Sequence, residues 1–114
     1  MDGLELVAFN IISSVGSAKS LVMESMMNAR SGKFVEAKEN IKQANELLIQ
    51  GEKAHFEVIT QEAKKKNIGL SLLFIHAEDQ LMSTVTLRDI ATEMLEMNQQ
   101  HFELKEKVEE LLEK

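Results

Sequence analysis

Residues 69–82 read Gly-Leu-Ser-Leu-Leu-Phe-Ile-His-Ala-Glu-Asp-Gln-Leu-Met, the most apolar run of the chain. No helix breaker follows the glycine in this run, so we predict that a helix begins here. His76 and Asp79 lie three residues apart and therefore on one face of that helix. A titratable pair among apolar residues is either a buried structural contact or a group that faces a partner or a substrate.

The composition indicates a single all-helical domain over residues 1–114. The chain contains no proline and only five glycines, so the strongest helix breaker is absent. Tyrosine and tryptophan are also missing, and no Asn-Gly or Asp-Gly turn separates two alternating apolar runs. We therefore expect no β-sheet.

The charge balance argues against two classes of partner. The chain has 13 basic and 19 acidic residues and a net charge of −6, whereas non-specific binding to nucleic acid or to an anionic membrane needs a basic surface. It has no cysteine, hence no disulfide framework and no thiol nucleophile. The amino terminus does not look like a secretion signal, and the longest apolar run is shorter than the roughly 20 residues that cross a bilayer. We expect a cytoplasmic protein without membrane insertion.

The first helix is predicted from an apolar stripe over residues 4–29, with steps of three and four. Gly16 and Ala18, with four serines around them, form a small-residue patch in this helix. We favour helix packing as the role of the patch, and the alternative is room beside a reactive side chain. Residues 30–33, Arg-Ser-Gly-Lys, provide a cation and a glycine suited to a left-handed cap, so the helix should end there.

The second helix is predicted from a similar stripe over residues 34–58. Gly51 and His55 are unusual members of this stripe. A lone histidine on an apolar face is most often a hydrogen-bonded core residue, and the alternative is a role near a site. The lysines at 64–66 suit the negative end of a helix, and residues 67–69, Asn-Ile-Gly, supply the break.

The third helix should be the longest, because no strong breaker follows Leu70; it would extend over about 44 residues to the last turn of the chain. In its first half, Phe74 and Leu81 lie on one face, and His76 and Asp79 lie on the other. Its second half carries a coiled-coil-like seam with Glu and Lys around it. The seam consists of Leu87, Ile90, Met94, Met97, His101, Leu104, Val108 and Leu111.

Short connections make sequential helices antiparallel neighbours, so the predicted fold is all-α, an up-down-up three-helix bundle. At about 1.5 Å per residue, the helices would be roughly 40, 50 and 65 Å long. The third helix would therefore overhang the other two. An overhanging seam would leave an apolar strip exposed in a monomer, so we expect association with further copies or with a partner.

Four polar residues share one stripe of the third helix: His76, Asp79, Gln80 and Ser83. A neutral imidazole can be a nucleophile, a base or a metal ligand, and a phosphoryl group is a suitable electrophile for it. Glu78 and Asp79 point about 100° apart and should have different functions. However, a His-x-x-Asp pair is also common as a structural ion pair, and two ligands on one helix do not complete a metal site.

Residues 75–82, Ile-His-Ala-Glu-Asp-Gln-Leu-Met, resemble a family signature, Val-His-Ala-Gln-Asp-His-Leu-Met. The family comprises the enzyme IIA components of the lactose/cellobiose (chitooligosaccharide) branch of the sugar phosphotransferase system. Further resemblances lie at residues 16–20 (Gly-Ser-Ala-Lys-Ser), 32–37 (Gly-Lys-Phe-Val-Glu-Ala) and 54–55 (Ala-His). Together they cover about residues 4–104 in the family's order and spacing.

The resemblance implies a phosphocarrier with a phosphohistidine intermediate. His76 would accept a phosphoryl group from phospho-HPr and pass it to a cysteine of a IIB protein, during uptake of a β-linked sugar such as cellobiose, lactose or chitobiose. Members of the family form homotrimers, in which Asp79 of each chain would meet a divalent cation, expected to be Mg²⁺, on the threefold axis. The cation would balance three converging carboxylates. The histidine would lie in a groove between protomers, where HPr and IIB would dock.

The chain departs from the family pattern in three respects. Gln80 replaces a second histidine and leaves an amide that can support phosphate without adding charge. Glu78 replaces a glutamine and would add negative charge near the phosphoryl group, and Val58-Ile59 replace a Gln-Thr pair. The tail from about Glu103 extends past the usual family end. The alternatives are a non-catalytic helical adaptor, in which the His-Asp pair is structural, and a regulatory relative that accepts phosphate without serving transport.

Overall fold

The computed structural model describes residues 2–65 and 72–114. These residues form three helices and no strand: α1 (Asp2–Arg30), α2 (Phe34–Lys65) and α3 (Leu72–Glu113). The all-α prediction is confirmed. The predicted helix break at residues 67–69 and the predicted start of the third helix at Leu70 lie outside the described residues.

The turn between α1 and α2 is closed by a glycine cap. Gly32 has a φ of 83°. Its N–H donates to the Ala29 carbonyl at 3.1 Å, and the Lys33 N–H donates to the Asn28 carbonyl at 2.8 Å, which are the two bonds of a Schellman motif. The Lys33 carbonyl accepts a bond from the Ala37 N–H at 3.0 Å and so begins α2. The predicted left-handed cap is confirmed.

The core extends along the bundle and takes more of its residues from α1 than from either other helix. It contains Leu4, Ala8, Ile11, Val15, Ala18 and Val22 of α1, Ala44, Leu48 and Val58 of α2, and Phe74, Ala77, Leu81 and Ala91 of α3. A second cluster near the α1–α2 turn joins Ala29, Ala37 and Leu95. The start of α1 thus packs with the start of α3 and the end of α2, which gives the predicted up-down-up order.

α1 is unusually apolar for a surface helix. By length and composition alone, the segment Gly3–Arg30 passes as a membrane-spanning helix, with a mean hydropathy of 1.5. No uninterrupted apolar run in α1 reaches the roughly 20 residues that cross a bilayer, because polar residues divide it. The inward face of α1 forms the bundle core, while only 28% of the apolar window is buried within one chain.

Small residues produce one close helix contact. A Cβ at Gly51 would lie 3.4 Å from the side chains of Val15 and Leu81, so α2 approaches both other helices there. In the predicted patch of α1, Ala18 is fully buried. A Cβ at Gly16 would meet no other atom within 4 Å among the described residues. The patch therefore packs through Ala18, and Gly16 faces outward.

The carboxyl-terminal part of α3 extends beyond the other two helices. The Phe102 ring covers Gly32 and meets the Phe34 ring edge-on, with 5.4 Å between centroids. Every residue from 103 to 114 is exposed, and the molecule measures 72 × 19 × 19 Å. The predicted overhang of the third helix is confirmed.

Candidate functional site

His76 lies in the second turn of α3 with its side chain exposed. Phe74 and Ala77, on either side of it in sequence, are buried in the core, so the backbone at His76 is anchored while the imidazole faces solvent. Within the described residues the His76 ring makes no hydrogen bond or ion pair. The imidazole is therefore accessible to a reactant from outside the chain.

Asp79 and Gln80 follow His76 one turn later on α3. Asp79 is exposed and Gln80 is half-buried. The structure places the predicted polar stripe on the side away from the core, as expected. His76 and Asp79 do not form an ion pair with each other in the part of the chain that the structure describes. The geometry therefore gives no support to a structural His-Asp contact.

Glu78 points away from this stripe, towards α2. Its Oε1 lies 2.5 Å from Nε2 of His55, and the two side chains are 35% and 23% exposed. The His55 ring also stacks on Phe74, with 6.0 Å between centroids. Glu78 is thus bound on the α2 side of the helix. His55 is a half-buried hydrogen-bonded residue, in agreement with the favoured interpretation.

Asp79 is the residue predicted to hold a metal ion. Among residues 2–65 and 72–114, no group of three or more His, Asp or Glu side chains is arranged to hold one. A divalent cation such as Mg²⁺ takes about six oxygen ligands, so the single carboxylate of Asp79 cannot form a site within one chain. An exposed carboxylate of this kind fits such an ion only as one ligand of a site that is shared between several chains.

An exposed apolar surface surrounds Asp79 on the outer side of α3. Its residues are between 37% and 84% exposed: Leu72, Ile75, Met82, Ile90, Met94 and Met97. A groove between α1 and α3 continues this surface and is lined mainly by Met23, Met26, Met27 and Met94. A contiguous apolar surface of this length is typical of a protein that associates with another chain.

The family of lactose/cellobiose-specific IIA subunits of the phosphotransferase system (PTS) matches residues 6–99. The chain belongs to this family. The lactose-specific EIIA component of Staphylococcus epidermidis is 32% identical to this IIA chain over 96 residues, which cover 84% of the chain and 92% of the relative. The cellobiose-specific EIIA component of Lactococcus lactis is 33% identical over 93 residues, 82% of the chain and 80% of the relative.

A solved IIA structure has the same fold. The crystal structure of the PTS cellobiose-specific enzyme IIA from Bacillus anthracis superposes on this IIA chain with a TM-score of 0.83 at 32% identity, covering 88% of this chain and 92% of that one. IIA subunits are phosphotransferase components that act between HPr and a IIB protein. The IIA chain is therefore a phosphocarrier component, and the adaptor alternative does not fit the family.

Proposed function

We propose that His76 carries the phosphoryl group in this IIA chain. The sequence has three histidines. His55 is bound to Glu78, and His101 lies outside residues 6–99, which match the family. His76 lies within the matched region, is exposed and has no bonding partner among the described residues, and this observation carries the proposal.

Each of the two phosphoryl transfers, to His76 and from it, is an in-line displacement at phosphorus. A ring nitrogen of neutral His76 attacks the phosphorus of phospho-HPr, and the departing group of HPr keeps the electron pair of the broken bond. A cysteine thiolate of the IIB protein then attacks the phosphorus, and the N–P bond breaks. An exposed side chain on an anchored helix suits these two successive transfers, because two proteins must reach the same imidazole ring in turn.

Gln80 is proposed to support the phosphoryl group of His76. It lies one turn further along α3 and is half-buried, and its amide can donate a hydrogen bond to a phosphoryl oxygen. The amide adds no positive charge, so the partner proteins would supply the electrostatic part of the support. Because Glu78 is bound to His55, its carboxylate does not compete for this position.

We further propose that three copies of the chain assemble along the outer face of α3. The exposed apolar surface around Asp79 supports this assembly, since it stays in contact with water in a single chain. Three parallel copies would bring the Asp79 carboxylates together, and a divalent cation such as Mg²⁺ would offset their repulsion. His76 would then lie in a groove between protomers.

We assign this phosphocarrier to the cytoplasm and to the uptake of a β-linked di- or oligosaccharide. Two relatives are named for lactose and for cellobiose, which are both β-linked disaccharides. The resemblance at residues 75–82 points to the same branch of the system.

Phosphorylation in a reconstituted system tests the role of His76. Incubation with phosphoenolpyruvate, enzyme I and HPr should give an acid-labile, base-stable phosphoprotein. The variant His76→Ala should lose the label, because the attacking nitrogen is gone, and His101→Ala should keep it. An unlabelled wild-type chain, or a labelled His76→Ala chain, contradicts the proposal.

The role of Asp79 is tested by Asp79→Leu, with Asp89→Leu as the matched control on the same helix. Native mass spectrometry and metal analysis should show loss of the bound cation and a changed trimer stability for Asp79→Leu, because the axial carboxylates are removed. Asp89 is exposed and bound by Arg88 within its own helix, so its substitution should leave both properties unchanged. If cation content and oligomer mass are the same in wild type and Asp79→Leu, the shared site is rejected.

A further inference from the structure

His55 of α2 contacts the α3 turn that carries His76 at two points. Its Nε2–H donates to Oε1 of Glu78 at 2.5 Å, and its ring stacks on Phe74, with 6.0 Å between centroids and 17° between the planes. Phe74 precedes His76 by two residues and Glu78 follows it by two. Because residues four apart share one face of a helix, Phe74 and Glu78 both lie towards α2, and His76 lies on the other side of the turn.

The Glu78 carboxylate is a negative charge close to the place where a second negative group arrives. Its side chain is 35% exposed, and a phosphoryl group carries about two negative charges near pH 7. Among residues 2–65 and 72–114, His55 is the one side chain that hydrogen-bonds Glu78. The orientation of this carboxylate therefore depends on the imidazole of His55.

We propose that His55 is a positioning residue for the phosphoryl transfer, because it holds the Glu78 carboxylate on the α2 side of α3, away from the phosphoryl group on His76. This inference rests on the proposed role of His76. His55 does not touch the reacting atoms and acts only through Glu78.

Packing alone does not account for a histidine at position 55. Phe74 and Val58 are buried members of the same apolar core, and an apolar side chain would cover Phe74 equally well. A half-buried imidazole has a desolvation cost unless its N–H is hydrogen-bonded. What the imidazole adds over an apolar residue is the donor that binds the Glu78 carboxylate.

The size of the effect follows from the charges and the width of a helix. A carboxylate about 10 Å from a phosphoryl group with about two negative charges slows the arrival of that group about fourfold at the dielectric constant of water. The repulsion is larger once a docked HPr displaces water. We therefore expect about tenfold slower transfer when the hydrogen bond from His55 is lost.

The rate of phosphoryl transfer from saturating phospho-HPr to the full chain tests this role. His55→Leu keeps an apolar side chain against Phe74 but removes the donor, so transfer should slow about tenfold. His55→Gln keeps an amide donor and should stay within about twofold of the wild type. The matched control is His101→Leu, which removes an exposed histidine outside residues 6–99 and should leave the rate unchanged.

A second substitution separates control of the charge from packing. In the double variant His55→Leu/Glu78→Gln the carboxylate is gone, so transfer should return to within about twofold of the wild-type rate. A packing defect would persist, because the leucine is still present. Circular dichroism checks that each variant is folded, and His55→Ala replaces His55→Leu in both backgrounds if the leucine unfolds the chain.

The outcomes distinguish this inference from the proposed function. A wild-type rate for His55→Leu, or a double variant as slow as His55→Leu, rejects the positioning role, while loss of label in His76→Ala still supports the phosphocarrier. A labelled His76→Ala chain rejects both. Slow transfer in His55→Leu that Glu78→Gln restores supports the positioning role of His55.

Discussion

Replacement of Gly32 by alanine should destabilise the bundle by more than the addition of one methyl group implies. The backbone φ of 83° is left-handed, which costs an L-residue about 1–2 kcal/mol. In addition, the new Cβ would lie 2.9 Å from Cε1 of Phe102, so the ring must move and weaken its edge-on contact with Phe34, a contact worth about 0.5–1.5 kcal/mol. We expect Gly32→Ala to lower the free energy of unfolding by about 2–3 kcal/mol.

Urea denaturation followed by circular dichroism measures this change, at one protomer concentration because association adds to apparent stability. Gly16→Ala is the matched control. Gly16 lies inside α1 with nothing near its Cβ position among the described residues, so the variant should gain about 0.5–1 kcal/mol. When Gly32→Ala is introduced into the Phe102→Ala variant, the loss of unfolding free energy should fall to the cost of the left-handed backbone alone. A loss below about 1 kcal/mol for Gly32→Ala would refute both the left-handed cap and the packing of Phe102.

Two further substitutions test individual contacts by the same measurement. Thr84 is 1% exposed and its hydroxyl has no hydrogen-bond partner in the described part of the chain, so Thr84→Val should raise the free energy of unfolding by about 1 kcal/mol, and a loss would reveal a missed partner. Glu78→Gln should lower it by about 1 kcal/mol, since a half-exposed charge-assisted bond to His55 becomes a neutral one. The Glu78→Gln variant should still accept phosphate. The control Glu93→Gln, at an exposed position, should leave the free energy of unfolding unchanged. Equal free energies of unfolding for the two glutamate variants would argue against the His55 contact.

The local features of the fold could be predicted from the sequence because they depend on neighbouring residues. The Gly32 cap follows from a glycine at the end of an apolar stripe, and the buried faces of all three helices follow from spacings of three and four. The overhang follows from helix lengths alone. For the same reason, the exposed position of His76 could be predicted from the face it shares with Asp79.

Contacts between distant residues could not be predicted in this way. The bond between His55 and Glu78 depends on how far α3 slides along α2, and no local pattern encodes that distance. Phe102 reaches Gly32 for a similar reason, since the two positions meet only when the full lengths of α1 and α3 are aligned.

The position of the carboxyl terminus has a practical consequence for measurements on this protein. The part of α3 between His76 and Glu113 would be about 55 Å long at 1.5 Å per residue. A fluorophore, an affinity tag or a surface linkage attached after Lys114 would therefore lie far from the imidazole. Docking kinetics of HPr and IIB could then be recorded on an immobilised chain without steric interference from its attachment point.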